Sequence, residues 1–491
     1  MLKQLPPRKR PLMLHQRGLV TYYRRVRSGA AFMAMRTGKT LPTIRYLQAQ
    51  RPVRKSRRIL VVAPSSALIG WEDELHAEGV GSIAWLVGSR KKRYSALRSG
   101  AEWNLLNYEG WSIIPEIANA MWCQQCRGIG IVPDGICQYC SGVGYITGRR
   151  VPRDDRQLWD AIILDESTRI KNPKVHVSRF VLDHLRHVAV RRYCLTGSPV
   201  TENPLEIWNQ FAWLDGTAFG CKSYWHFRSK CFDNTYVDGY QLKTSCDRFV
   251  RATIASRAYV CSKADANMPD NHVHETLSVQ FNKDQRKAYR TAETDFILEW
   301  QGRRLQKTLW ATERWHWMRR MCGGLFGKDF CYEVKAATLD DLLTDQLRNE
   351  VVVVWFAYND EIYSCATHTI AKDVKVMTGA TSLEERRWLR FNLGRKYRIL
   401  FIQQKVAECG VDLSAADTAI AYSRHASLFT NIQSADRIVH PRKQTPLLTI
   451  DLVVNDTVDT DLALLLRKKE ITSQRMLTFQ VQQRLQERVG A

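Results

Sequence analysis

Two short stretches hold residues whose type and order could do chemistry on a phosphoanhydride. The first, Arg36-Thr37-Gly38-Lys39-Thr40, follows the apolar run 30–35 and precedes Leu41-Pro42-Thr43-Ile44. An apolar strand, a turn ending in Gly-Lys-Thr and then a helix is the layout of a phosphate-binding loop. Backbone N–H groups at the helix start would cradle the phosphates, Lys39 would reach the β/γ-phosphates, and the Thr40 hydroxyl would hold Mg²⁺. Met33 stands where the pattern GxxxxGK[ST] has its first glycine. The second stretch is Asp165-Glu166, directly after the apolar run ending at Leu164. Adjacent carboxylates at the carboxyl end of a buried strand lie where open α/β sheets bind ligands. Asp165 is suited to hold Mg²⁺ through water and Glu166 to polarise an attacking water. A solvated turn is the other reading of such a pair.

A third group is built for metal rather than phosphate. Cys123-x-x-Cys126 and Cys137-x-x-Cys140 are separated by ten residues, the spacing of two knuckles around one four-thiolate zinc. Each second cysteine continues as Cys-x-Gly-x-Gly, at 126–130 and 140–144. Glycines permit the tight turn that lets backbone N–H groups donate to sulfur. A redox-active dithiol pair is the alternative, although no thioredoxin-like surroundings accompany it. Arg127, Arg149 and Arg150 would suit a nucleic-acid contact at this insert. The other nine of the 13 cysteines are scattered, as small buried apolar residues are.

The elements that must position these residues read as strands alternating with helices. Ile59–Ala63, Trp103–Asn107 and Trp159–Leu164 are short apolar runs leading into polar turns, and Val351–Phe356 with Arg398–Ile402 repeats the pattern late in the chain. Such alternation predicts an α/β fold with parallel sheets. The expected organisation is a first lobe over residues 1–214 with the zinc insert at 119–150, and a mainly helical extension over 215–330. A second lobe over 331–470 and an amphipathic helix over 471–491 complete it. The extension reads as helical from about Asp284 to Met321. Its residues Trp300, Arg303, Arg304, Lys307, Trp310, Arg314, Trp315, Trp317, Arg319 and Arg320 interleave aromatics with cations, fitting either stacking on bases along a phosphate backbone or core packing. Leu477, Val481, Leu485 and Val489 form the stripe of the last helix, for docking on the second lobe or on a partner protein.

Composition bounds the rest. At 491 residues the chain is too long for one core. Lys+Arg exceed Asp+Glu by 73 to 49, a net charge of +24 spread along the chain, which favours a polyanionic partner, most simply nucleic acid. No apolar run is long enough to span a bilayer, which excludes membrane-spanning classes. No secretory signal is visible in residues 1–11, and the odd cysteine count fits a reducing compartment, so a cytoplasmic location is expected.

Taken in order, the motifs resemble those of superfamily 2 helicases and translocases, most closely the SWI/SNF-type branch, over roughly residues 12–470. Gln16 is similar to the adenine-reading glutamine and 36–40 to motif I. Ala63-Pro64 with Trp71 and Glu74 is similar to motif Ia, and Asn107-Tyr108-Glu109 to the next segment. Asp165–Pro173 resembles motif II, with Thr168 where many relatives carry histidine, and Leu195–Pro199 resembles motif III. Lys263-x-Asp265 with Met268-Pro269, Gln285 with Tyr289, and 318–322 resemble later family segments. Val351–Phe356 resembles motif IV, Gly410–Asp417 motif V, and Gln433–Arg437 the start of motif VI. The repeated Cys-x-Gly-x-Gly resembles the zinc repeats of DnaJ-type cochaperones.

The resemblance implies two RecA-like lobes closing over one ATP. It implies nucleotide contacts from Gln16, Arg36, Thr37, Gly38, Lys39, Thr40, Asp165, Gly410 and Asp412, Mg²⁺ on Thr40 and Asp165, and water activation by Glu166. Arg437 is the expected arginine finger. The second arginine of motif VI is replaced by His440, and Arg442 two residues on is the substitute if the loop shifts. The implied activity is ATP-driven movement along DNA, duplex more than single-stranded, in replication, recombination or repair. An RNA helicase and a non-catalytic DNA-binding scaffold are the alternatives. A monomer from a bacterium or phage is the expected setting, with partner proteins at the zinc insert or last helix.

Overall fold

The structure, a computed structural model, describes residues 10–469 apart from 54–55, 66, 113–114, 119–120, 128–130, 141–144, 147–158, 201–202, 236–238, 269–270, 296, 301–302, 308–310, 408–410, 441–442 and 444. The chain divides into two compact units between Met268 and Pro269.

The first unit is built on seven parallel strands: β1 (Gly29–Met33), β2 (Ile59–Ala63), β3 (Ile83–Leu86), β4 (Trp103–Asn107), β5 (Trp159–Asp165), β6 (Ala189–Thr196) and β7 (Ala258–Cys261). Their order across the sheet is β7-β1-β6-β5-β2-β4-β3. β1, β2, β4 and β5 are buried at every position, which is why they read as continuous apolar runs rather than alternating ones. Helices Leu14–Arg25, Thr40–Gln48 and Ala67–Ala77 pack on this sheet through Leu19, Tyr23, Ile44, Leu47, Leu68, Trp71 and Leu75. Order matters most at the carboxyl ends. β1 pairs with β6 (Phe32 opposite Thr196) and β6 with β5 (Leu195 opposite Asp165), so segments more than a hundred residues apart in sequence leave the sheet side by side.

The second unit has six parallel strands: β8 (His272–Val279), β9 (Val352–Phe356), β10 (Val374–Met377), β11 (Ile399–Gln403), β12 (Thr418–Ala421) and β13 (Leu447–Val454), in the order β8-β13-β12-β9-β11-β10. The two-sheet α/β architecture is the one expected.

The middle of the chain differs from expectation. Residues 215–330 are shared: Ala258–Cys261 is an edge strand of the first sheet and His272–Val279 an edge strand of the second. The helix expected from Asp284 to Met321 is two helices, Lys283–Thr294 and Ala311–Cys322, separated by an antiparallel hairpin pairing Ile297–Trp300 with Arg303–Lys307. Ile297, Leu298 and Trp300 followed by Gly302 carry strand and turn preferences strong enough to interrupt helical periodicity. In the second helix Trp317 and Arg319 are buried, so this part of the aromatic and basic stretch packs inward. Arg319 donates to the Arg424 carbonyl and stacks 4.5 Å over Trp315. The expected C-terminal helix lies outside the described residues, as do Arg149 and Arg150. Among the described residues no helix is long and apolar enough to cross a membrane.

Candidate functional site

Beyond β1 the chain turns tightly before entering the helix Thr40–Gln48, with Lys39 at the helix N-cap position. Arg36 and Gly38 both have positive φ, 64° and 74°. Arginine at the first of these holds a conformation glycine adopts freely. Thr37 is buried, its hydroxyl donating to the Ala34 carbonyl at 2.7 Å. Support comes from the helix Leu14–Arg25: His15 Nε2 lies 2.8 Å from the Thr37 carbonyl, and Gln16 Nε2 donates to the carbonyls of Thr37 (3.3 Å) and Gly38 (3.1 Å). Gln16 Oε1 accepts from the Met13 N–H at 3.0 Å. Both amide hydrogens of Gln16 are therefore committed to the loop, and contact with a base would exchange those bonds.

Asp165 closes β5. Its Oδ1 accepts from the Glu166 N–H (3.0 Å), its Oδ2 from Trp71 Nε1 (2.8 Å), and its backbone carbonyl from the Tyr108 hydroxyl (2.9 Å). Burial first, and the Asp165 charge second, push the Tyr108 phenol well above its ordinary pKa, so it stays a donor. Glu166 is left-handed at φ 50° and ψ 54°, a sparsely populated conformation for a residue with a side chain. The Thr196 hydroxyl donates to Glu166 Oε2 at 3.3 Å and accepts from the Ser198 N–H at 3.2 Å. Gly197 passes so close behind the β1 loop that a Cβ would lie 2.8 Å from Met35 Cγ and 3.2 Å from Met35 N. The three turns after β1, β5 and β6 are thus locked together.

Sequence reasoning missed several of these supports. Ser167 Oγ donates to Gln210 Oε1 (2.7 Å), and Gln210 Nε2 to the Pro199 carbonyl (2.8 Å), joining the carboxylate turn to the Leu195–Pro199 turn. Asn209 Nδ2 donates to the Ile170 carbonyl at 2.5 Å. The available signal was two amide side chains in the otherwise apolar helix Ile207–Asp215, since buried polar groups are present to be paired.

In the second unit, the Leu413 N–H donates to the Arg437 carbonyl at 3.1 Å, joining the backbones of 411–417 and 433–437. Asp412 Oδ1 accepts from the Ser414 N–H at 3.2 Å. Lys443 Nζ returns to the Ser414 carbonyl (2.9 Å), the Ala416 carbonyl (2.5 Å) and Asp417 (2.7 Å), tethering the chain beyond His440. Arg437 is half-buried just past the helix Leu428–Ala435; Gly410 and Arg442 lie outside the described residues.

The four cysteines converge. All four are buried, and their sulfurs lie within 4.8 Å of one another, with Cys123 to Cys137 at 3.8 Å and Cys126 to Cys140 at 3.6 Å. A tetrahedron of thiolates about 2.3 Å from zinc has edges of about 3.8 Å, so the sulfurs fit that ion. Short antiparallel pairs, Met121–Trp122 with Tyr145–Ile146 and Ile131–Val132 with Gly135–Ile136, frame the two knuckles. Metal analysis of purified protein is expected to find about one zinc per chain, and Cys137→Ser to lower it. A folded wild-type protein without metal would refute the assignment.

Comparison with known proteins gives the following. Residues 17–320 match the family described as SNF2-related domain, and residues 334–441 the helicase conserved C-terminal domain. YwqA of Bacillus subtilis (strain 168), provisionally named an ATP-dependent helicase/translocase, is 21% identical over 468 residues, covering 90% of this chain and 46% of YwqA. DNA excision repair protein ERCC-6-like 2 of Mus musculus is 25% identical over 193 residues, 39% of this chain and 10% of that protein. The chain thus spans less than half the length of either relative. The SWI2/SNF2 ATPase core of Sulfolobus solfataricus, solved in complex with dsDNA, aligns over 96% of this chain and 95% of its own at 16% identity and a TM-score of 0.42.

Proposed function

Because the chain belongs to the SNF2-related family, with a helicase conserved C-terminal domain in its second unit, we propose that it is a nucleic-acid-dependent ATPase that moves along duplex DNA. The observation that carries this reading is the clustering of three turns from distant parts of the sequence. Lys39, Asp165, Glu166 and Thr196 all leave adjacent carboxyl strand ends. ATP phosphates would be held by the backbone of 36–40 and by Lys39, and Mg²⁺ by Thr40 and Asp165. Each Asp165 carboxylate oxygen accepts from a neutral N–H and keeps a lone pair, so the donor set fits a hydrated cation. Mg²⁺ held there would supply charge neutralisation to the phosphates.

What the chain's own residues contribute is orientation and proton handling. Trp71 and Tyr108 fix Asp165, and Thr196 orients the Glu166 carboxylate through Oε2, the group assigned to accept a proton from water. Because Thr196 also caps the following turn, a shift in Leu195–Pro199 would reorient the base, a route from hydrolysis to movement. In the second unit, Arg437 is assigned to the developing γ-phosphate charge, with Arg442 as its substitute and Gly410 and Asp412 as nucleotide contacts. Gln16 is assigned to adenine on exchange of its loop bonds. The zinc insert closes a loop of the first unit. The net charge of +24 supports a polyanionic track, and the similarity to a protein named for DNA excision repair supports DNA.

The test is hydrolysis measured without nucleic acid and with duplex DNA, single-stranded DNA or RNA, beside Lys39→Ala. Strong duplex stimulation, lost in the variant, is expected. Stimulation by RNA alone would replace the DNA reading, and no hydrolysis in any condition would remove the enzymatic one.

A further inference from the structure

The helix Leu383–Asn392 of the second unit buries Leu389 and Asn392 but leaves Trp388 45% and Phe391 63% exposed. Positions three apart on a helix are neighbours, so the two rings form one aromatic face. Large rings held together in solvent mark a surface with something to bind.

The turn after the helix is built to hold them. The Asn392 carbonyl accepts from the backbone N–H of both Arg395 (3.0 Å) and Lys396 (2.9 Å), and Gly394 takes φ 75°, which folds the chain back over the helix. The Arg395 guanidinium then lies 4.1 Å over the Phe391 ring, and Lys396 Nζ 5.9 Å over the Trp388 ring. Trp388 also lies 6.3 Å from Tyr397 at an interplanar angle of 10°, and Tyr397 is buried and anchored by its hydroxyl to the Leu389 carbonyl at 2.6 Å. The rings are thus propped from within the protein while much of each remains in solvent.

Charge sets the partner's sign. Arg387 and Arg390 are exposed on the same helix, and neither they nor Arg395 and Lys396 enter an ion pair among the described residues. Glu384 and Glu385 occupy only the first turn. The surface therefore calls for an anion that also carries flat apolar groups. A duplex hides its base faces in the stack, whereas a single strand offers phosphates and open bases together.

We infer that this face is a second nucleic-acid site, one that takes an unpaired single strand by stacking bases on Trp388 and Phe391 with phosphates on Arg390, Arg395 and Lys396. The inference rests on the nucleic-acid reading above but not on hydrolysis. A strand displaced or left unpaired beside the duplex track would be held there.

The test uses the full chain and a fluorescent oligo-dT, with anisotropy read in the presence of saturating unlabelled duplex. Photocrosslinking of an iododeoxyuridine oligonucleotide then locates the contact by peptide mass spectrometry. Wild type should bind the oligonucleotide and crosslink at Trp388 or Phe391. The double variant W388A/F391A should weaken oligo-dT binding by roughly tenfold or more, as loss of two stacked bases requires. Duplex affinity and duplex-stimulated hydrolysis should persist. Arg390→Glu should weaken the same binding and flatten its salt dependence. Unchanged oligo-dT affinity in the double variant overturns the proposal, as does a parallel loss of duplex affinity, which would make the face part of the duplex track. Tighter binding of a Glu/Tyr copolymer, lost in the same variant, would move the partner to an acidic protein. Failure of the ATPase reading would show separately, as absent duplex stimulation with oligonucleotide binding intact.

Discussion

Glu166→Gln should bind ATP as wild type does and hydrolyse it about 10²–10⁴-fold more slowly, the range lost when a positioned general base is removed. The substitution isolates chemistry from architecture. A glutamine carbonyl still accepts the Thr196 hydroxyl that now donates to Oε2, and the left-handed backbone at this position is set by the turn rather than by the carboxylate charge. Asp165 keeps its bonds to Trp71 and to the residue 166 N–H, because the latter is backbone. Folding and metal retention are therefore unaffected, and what disappears is the acceptor for a water proton. Single-turnover hydrolysis beside nucleotide affinity separates the two quantities. Turnover equal to wild type would remove Glu166 from the mechanism and leave the turn a structural one. Lys39→Ala should behave differently, losing affinity as well as rate, because its charge meets the phosphates in the ground state too.

How much of this was legible in the sequence depended on how local each feature is. The Gly-Lys-Thr turn, the Asp165-Glu166 pair and the two cysteine knuckles each sit within a few residues, and the structure gathers each as its spacing implies. That the first two meet was also readable, since ligands gather at carboxyl strand ends in such sheets. Which strands are neighbours was not, because β1 reaches β5 only through β6, with which it pairs across more than a hundred and fifty residues. Gln16 shows the same limit at the scale of one side chain. Its position before the loop was recognisable, but its bonds to the Thr37 and Gly38 carbonyls follow from where the first helix lies. The stretch 284–321 misled for the opposite reason. Local helical periodicity there was real at both ends, and a hairpin between them was outvoted in a long window. The division of 215–330 was hidden because an edge strand needs a partner sheet to be recognised as one.

Glu361 leads to the second large effect, and it is one of pH. The residue is fully buried in the helix Asn359–His368, which begins just beyond β9. Its Oε2 accepts from the Ser423 hydroxyl at 2.5 Å; that hydroxyl already accepts from the Ala357 N–H at 2.8 Å, so its one hydrogen is committed to Glu361. Oε1 has no partner among the described residues and faces Gly323, where a Cβ would lie 2.1 Å away. Lys335 and Arg319 favour the charged form, but Lys335 is paired with Asp459 at 2.5 Å and Arg319 donates to the Arg424 carbonyl. Burial outweighs Ser423 and both cations, and Asp459 adds to it, so the carboxyl is pushed up to about 7.

An unfolded glutamate titrates near 4.3. Between that value and about 7 the native state holds a proton the unfolded chain has released, so this group's contribution to stability is fully present below about 4.3, falls as pH rises, and levels off above 7. The full span is on the order of 3 kcal/mol, of which roughly 2 to 3 kcal/mol falls between about pH 5 and 8. Glu361→Gln keeps an acceptor for Ser423 and carries no proton to lose. Its stability relative to wild type should therefore improve by that amount across the same interval, read by denaturant unfolding of both proteins at several pH values. Curves that run parallel would mean that Glu361 ionises in the native state as it does in the unfolded chain, and that water or movement of the Gly323 segment relieves the burial.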